Sequence, residues 1–302
     1  MKKKGIALVE RQYLFPFVLI TSLFFLWGFA HAILDVLNKH FQELLTITRT
    51  HSAMIQATMY MGYFIMAIPA GLFINRHGYR KGVVLGLLLY GIGSLLFIPG
   101  QYIASFNMFL FSLFVIGCGL TFLETAANPY VTELGARETA ASRLNFAQSF
   151  NGLGCIFAPI LTGLLLFSDE DKGASGNVAL PYAVMGVIVL LAALAFMRVR
   201  LPEIPHEEEV DSEGHRVGLW AHKLFVFGLV ALFAYEVSEI SINSFFINYV
   251  TEVGWMNARD ASLVLSFGGL GLFMVGRFVG SWIMRRVRAE KMLFWCATGT
   301  VI

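Results

Sequence analysis

Apolar residues run through this chain in blocks long enough to cross a bilayer, separated by short polar interruptions. A crossing helix takes about 20 predominantly apolar residues. Such runs occupy residues 14–37, 53–74, 83–103, 108–131, 146–167, 179–197, 224–250 and 261–284. A ninth starts at Met292 and stops after 11 residues at Ile302, about 16 Å of helix against a hydrocarbon core of about 30 Å. The pattern predicts an all-α, polytopic membrane protein whose last span is incomplete in this sequence.

Composition sharpens this picture. Only 14% of the 302 residues are charged and 57% are hydrophobic, whereas soluble domains carry roughly 25% charged residues. A water-facing surface of ordinary size cannot be covered, and a soluble enzyme is excluded. The net charge of +2 leaves no basic face for nucleic acid. Cys118, Cys155 and Cys296 lie inside apolar runs, with no CxxC pair; they read as small core residues rather than as disulfides or metal ligands.

The placement of the charges orients the chain. Lys and Arg in alternate loops number 17 on one side and 4 on the other, with Arg277 inside the eighth span, so the richer side, which holds the amino terminus, is expected to be cytoplasmic. The Met1-Lys-Lys-Lys start resembles a secretory signal, but the following apolar run is too long and continues to Asp35. Residues 201–222 are acidic, carry two prolines and have no apolar period, which predicts a solvated linker. The chain therefore divides into a six-helix bundle at 1–200, the linker at 201–222 and an incomplete second bundle at 223–302. An internal echo suggests duplication: Gly71 and Arg76 after the second span match Gly280 and Arg285 after the eighth.

Four carboxylates fall within spans: Asp35, Glu124, Glu236 and Glu239. Each would cost roughly 2.5–3.5 kcal/mol at a helix centre, so they need a cavity, a partner or a proton. A carboxyl group deprived of water holds its proton more tightly, which is the chemistry of proton coupling. In LETAANP, Glu124 stands one turn before Asn128-Pro129; such an interrupted helix either lines a cavity or makes a structural kink. Asn145, Gln148 and Asn151 form a stripe at a spacing of three. Their amides match sugar hydroxyls or join helices. Glu236, Glu239 and Asn243 lie on adjoining turns of the seventh span. Arg277 reads as structural. His31 and Asp35, four residues apart, could also serve a metal or an acyl-transfer base, but no phosphate loop, zinc motif or Ser-His-Asp arrangement accompanies them.

SLFFLWGFAHAILDVLNKHFQ, GYFIMAIPAGLF, LETAANP and RLNFAQSFNGLG, in this order, resemble the fucose permease family of sugar:proton symporters within the major facilitator superfamily. The resemblance implies two six-helix bundles around a central sugar site, alternately exposed to either side. It implies proton-coupling roles for Asp35 and Glu124, and sugar-binding roles for Glu124, Gln148 and Asn151. From their place on the seventh span, Glu239 and Asn243 are expected to add sugar contacts from the second bundle. Gly71, Asn75, Arg76, Gly78, Arg80 and Arg277 are the expected structural and gating positions. Asn75 stands where the superfamily commonly has an acid, and His31-Ala32 where the fucose permease has a polar pair. Glu239 matches the acid of glucose/galactose relatives.

The expectation is thus a non-enzymatic transporter of a neutral monosaccharide and a proton, L-fucose first and glucose or galactose next. It is expected to be a monomer among bacterial inner-membrane lipids, with no cofactor, no metal and no nucleic-acid partner. A non-transporting sugar sensor and an inactive fragment are the alternatives.

Overall fold

The structure is a computed structural model that describes residues 7–44, 49–166, 179–199, 218–256 and 271–301, with isolated positions between 260 and 269. Side chains of residues 34–53, 159–166 and several between 240 and 248 are outside the description. The helices are α1 (Leu14–Leu44), α2 (Arg49–His77), α3 (Tyr79–Leu95), α4 (Phe97–Ile103), α5 (Phe106–Glu133), α6 (Ala140–Leu166), α7 (Ala179–Arg198), α8 (Lys223–Glu252), α9 (Gly271–Met284) and α10 (Ala289–Val301). The predicted all-α class holds. The third apolar run becomes α3 and α4, in line as one 25-residue span.

Local chemistry sets the ends. Pro16 falls in the first turn of α1, where a missing N–H breaks no helical bond. Ser105 caps α5, its Oγ accepting from the Met108 N–H at 3.4 Å. Gly78, with φ 83°, makes the tight corner from α2 into α3. Among the described residues, five stretches are long and apolar enough to cross a membrane: Arg11–Ile33, Met54–His77, Tyr79–Ile103, Phe106–Glu133 and Ala179–Arg198. Helices α6 and α8, of 27 and 30 residues, also have spanning length. Large apolar side chains at 84% (Phe64), 75% (Ile68) and 89% (Leu224) exposure are what a lipid-facing surface requires.

By compactness the chain falls into two units, Met1–Ile204 with Gly276–Ile302, and Pro205–Val275. Within the first, α1 packs along α6, α5 lies against both α2 and α3, and α3 also meets α7. The crossings are close. A Cβ built on Gly28 would lie 2.0 Å from the Asn151 carbonyl oxygen, and one on Gly154 2.2 Å from that of Phe25. Small residues at such crossings let backbones touch where lipid offers no hydrophobic drive between helices.

The carboxyl half of α9 rests on the amino end of α6. Ser142 Oγ donates to the Ser281 carbonyl at 2.5 Å, and Ser281 Oγ returns a bond to the Ser142 carbonyl at 2.8 Å. Both serines are buried. Asn145 Nδ2 donates to the Arg277 carbonyl at 2.6 Å, and the Phe278 ring meets Phe146 and Phe150 edge-on. Of the two readings open for Asn145, joining helices is the one its geometry supports. Cys118 is buried, Cys155 half-buried and Cys296 exposed, all three as free thiols. Cys296, exposed on α10, thus corrects the expectation of a core cysteine.

Candidate functional site

Helix α5 continues unbroken through Pro129 to Glu133, and Glu124 and Asn128, four residues apart, share a face. Glu124 is half-buried. With Leu23, Phe24 and Trp27 of α1, and Leu123 and Ala127 of its own helix, it lines a cavity of about 10 Å³. That space takes at most one water, so a larger ligand has to sit beyond it or wait for the helices to move. One turn on, Asn128 Oδ1 accepts a bond from Gln148 Nε2 of α6 at 3.1 Å. An aromatic wall adjoins this row. Trp27 Nε1 donates to the Tyr63 hydroxyl of α2 at 2.8 Å, and Tyr63 lies within electrostatic reach of Glu124. Carboxyl, amides, indole and phenol from four helices therefore converge in a largely apolar bundle. Together they can accept and donate hydrogen bonds to a neutral polyol and can hold a proton.

Asn151 is half-buried where α6 crosses α1, its backbone against Gly28. Its Oδ1 lies 4.0 Å from Cys155 Sγ, in weak contact. Asp35 is on α1, eight residues beyond Trp27, with its side chain outside the described residues. Glu239 is half-buried and Glu236 exposed on α8, and the Asn243 side chain is outside the description. These three belong to the second unit.

The α2–α3 corner separates residues that the sequence grouped. Asn75 and Arg76 are exposed, and a Cβ at Gly71 would meet no atom within 4 Å. Arg80 reaches the end of α7, with Nε 3.1 Å from the Phe196 carbonyl and Nη2 on the Met197 carbonyl. A cation there opposes the negative end of the α7 dipole. Arg277 is half-buried, and its carbonyl receives Asn145. No group of three or more metal-ligating side chains occurs among the described residues.

Two features escape a reading of the sequence alone. Trp27 and Tyr63 carry no spacing signal apart from the other aromatics of their helices. Arg143, counted as a loop cation, is 0% exposed. Its guanidinium donates to the carbonyls of Val131 (3.1 Å), Ala136 (2.9 Å), Leu8 (3.3 Å) and Thr132, and to Thr139 Oγ1 (2.6 Å). It gathers the end of α5, the following turn and the amino-terminal segment around one cation.

The family model of the Major Facilitator Superfamily matches residues 17–302. The chain belongs to that superfamily. It is 35% identical over 299 residues to the glucose/galactose transporter of Brucella abortus strain 9-941, covering 97% of this chain and 72% of that protein. With the L-fucose-proton symporter of Escherichia coli K12 it shares 34% identity, covering 94% of this chain and 70% of the other. The solved structure of the E. coli fucose:proton symporter superposes with a TM-score of 0.78 at 32% identity, covering 94% of this chain and 74% of that one. A second structure of that transporter, in its outward conformation, gives 0.79 at 33%, with the same coverage. As a superfamily member with a series of apolar helices, the protein is a multi-pass integral membrane protein, and the relatives named are transporters rather than enzymes.

Proposed function

We propose that this superfamily member carries one neutral hexose together with one proton across the bacterial cytoplasmic membrane, by alternating access between a first bundle at 1–200 and a second at 223–302 joined through 201–222. L-fucose is the first candidate cargo and glucose or galactose the second, in keeping with relatives of both names. The observation that carries the reading is the meeting of Glu124 with Trp27, Tyr63 and the Asn128–Gln148 pair inside an apolar bundle.

In this account the one proton passes between Asp35 and Glu124 and has to be aboard for the loaded carrier to change its open side, because a neutral carboxyl crosses a dry region at far lower cost than an ionised one. Gln148 and Asn151 hold sugar hydroxyls, and Glu239 and Asn243 complete the site from the second bundle. Gly78 and Arg80 keep the α2–α3 corner, Gly71, Asn75, Arg76 and Arg277 lie on the moving interfaces, and the Ser142–Ser281 contact holds one side closed. The amino terminus faces the cytoplasm, the carrier works as a monomer, and surrounding lipid covers its apolar faces.

The test is a sugar panel. Proteoliposomes with an inward proton gradient are expected to accumulate one of L-fucose, D-glucose or D-galactose at least tenfold above the others. Asp35→Asn is expected to abolish accumulation while retaining exchange of labelled for unlabelled sugar. Absence of uptake for every sugar would overturn the cargo assignment.

A further inference from the structure

His31 stands beside the site and the account so far leaves it idle. Its Nδ1 lies 3.1 Å from the Trp27 carbonyl oxygen. A carbonyl only accepts, so Nδ1 carries the hydrogen, and in the neutral imidazole Nε2 then keeps a bare lone pair. Three aromatic rings fix the imidazole plane: Trp27 at 5.8 Å and 80°, Tyr63 at 5.8 Å and 57°, and Tyr60 at 6.3 Å and 52°. Nothing among the described residues donates to Nε2, and the side chain is only half-buried.

The cage is shared with the site. Trp27, whose carbonyl accepts the hydrogen bond from His31 Nδ1–H, also lines the Glu124 cavity and donates its indole N–H to Tyr63. Trp27 and His31, four residues apart, share one face of α1. The amides of Gln148, Asn128 and Asn151 each offer both donors and an acceptor, and Glu124 changes role with its proton. A neutral imidazole held in this tautomer is different: it can only accept, and only in one direction.

Resting on the symport reading above, we propose that His31 is a specificity-determining residue. Its Nε2 accepts a hydrogen bond from one hydroxyl of the sugar, so the carrier selects hexoses that present a hydroxyl, with its hydrogen, at that position. Tyr60 and Tyr63 from α2 and Trp27 from α1 keep the ring aimed.

A side-chain-against-hydroxyl cycle tests this. Affinities of L-fucose, D-galactose and their monodeoxy analogues are measured on the reconstituted protein, as wild type, His31→Phe and His31→Gln. Phenylalanine keeps the ring packing and removes the acceptor; glutamine restores an acceptor. In wild type, loss of one particular hydroxyl is expected to weaken binding about 3- to 10-fold, the size of a neutral hydrogen bond. In His31→Phe the parent sugar should weaken by a similar factor, and removing that same hydroxyl should then change nothing further. His31→Gln should regain part of the discrimination. If every analogue keeps its wild-type ratio to the parent sugar in both variants, the assignment is overturned and His31 only packs. If wild type binds none of these sugars, the symport reading itself fails and takes this inference with it.

Discussion

Arg143→Met is expected to leave little folded protein. The side chain is entirely enclosed and makes five hydrogen bonds, four of them to backbone carbonyls. Methionine fills much of the volume but makes none of the five bonds, and each bond to a charged group contributes about 1.5–3 kcal/mol. It also removes a cation from the negative end of the α5 dipole. Losses of more than about 4 kcal/mol are characteristic of broken buried networks, and for a chain of this size they lower the melting temperature by roughly 10 °C or more. Lysine keeps the charge but brings three donors on a point-like head instead of a planar fork, so Arg143→Lys should fall between. Thermal unfolding of the detergent-solubilised protein, followed by size-exclusion chromatography, reads both. A wild-type melting temperature for Arg143→Met would contradict the hub.

The second large effect is geometric. Gly28→Ala places a methyl group 2.0 Å from a backbone oxygen on α6, and a backbone carbonyl cannot rotate away as a side chain would. The two helices have to part by more than about 1 Å, since carbon contacts settle near 3.5 Å. The residue displaced is Asn151, so sugar affinity is expected to fall at least tenfold even in protein that still folds. Gly71→Ala is the contrasting case. Its new methyl meets no atom within 4 Å, and exchanging glycine for alanine inside a helix stabilises by about 0.5–1 kcal/mol. Unchanged or slightly raised stability for Gly71→Ala, beside a large loss for Gly28→Ala, is the expected pair. Equal effects would mean that the α1–α6 crossing is looser than described.

These two glycines show why some of the fold was legible in the sequence and some was not. The spans could be read because lipid imposes one composition on every helix that meets it, so apolar runs at 14–37, 53–74 or 108–131 mark α1, α2 and α5 directly. Which helix faces which is written in pairs of residues far apart, and Gly28 and Gly71 look alike until the backbone opposite one of them is known. Glu124 and Gln148 stood out as polar residues in apolar surroundings, and they do lie on facing helices. Asn145 had the same signal and a different destiny, because its position near the end of α6 brings it under α9. Arg143 was hidden for the opposite reason: a cation beside a loop is usually solvated, and only the folded turn at 134–139 encloses it. Trp27 and Tyr63 were hidden by abundance, since aromatic residues in a span rarely distinguish themselves from those that merely pack.

The coupling of sugar to proton is the claim on which the account rests. Its most direct measurement is sugar-evoked acidification of liposomes that contain the reconstituted protein and an internal pH dye. Addition of the transported hexose to wild type, with no imposed gradient, should acidify the lumen in step with sugar entry. Glu124→Gln, which fixes the group in a neutral form, should admit sugar without any pH change and should not concentrate it when a proton gradient is imposed. Sugar entry into wild-type liposomes with a flat pH trace, or undiminished accumulation by Glu124→Gln, would contradict the account.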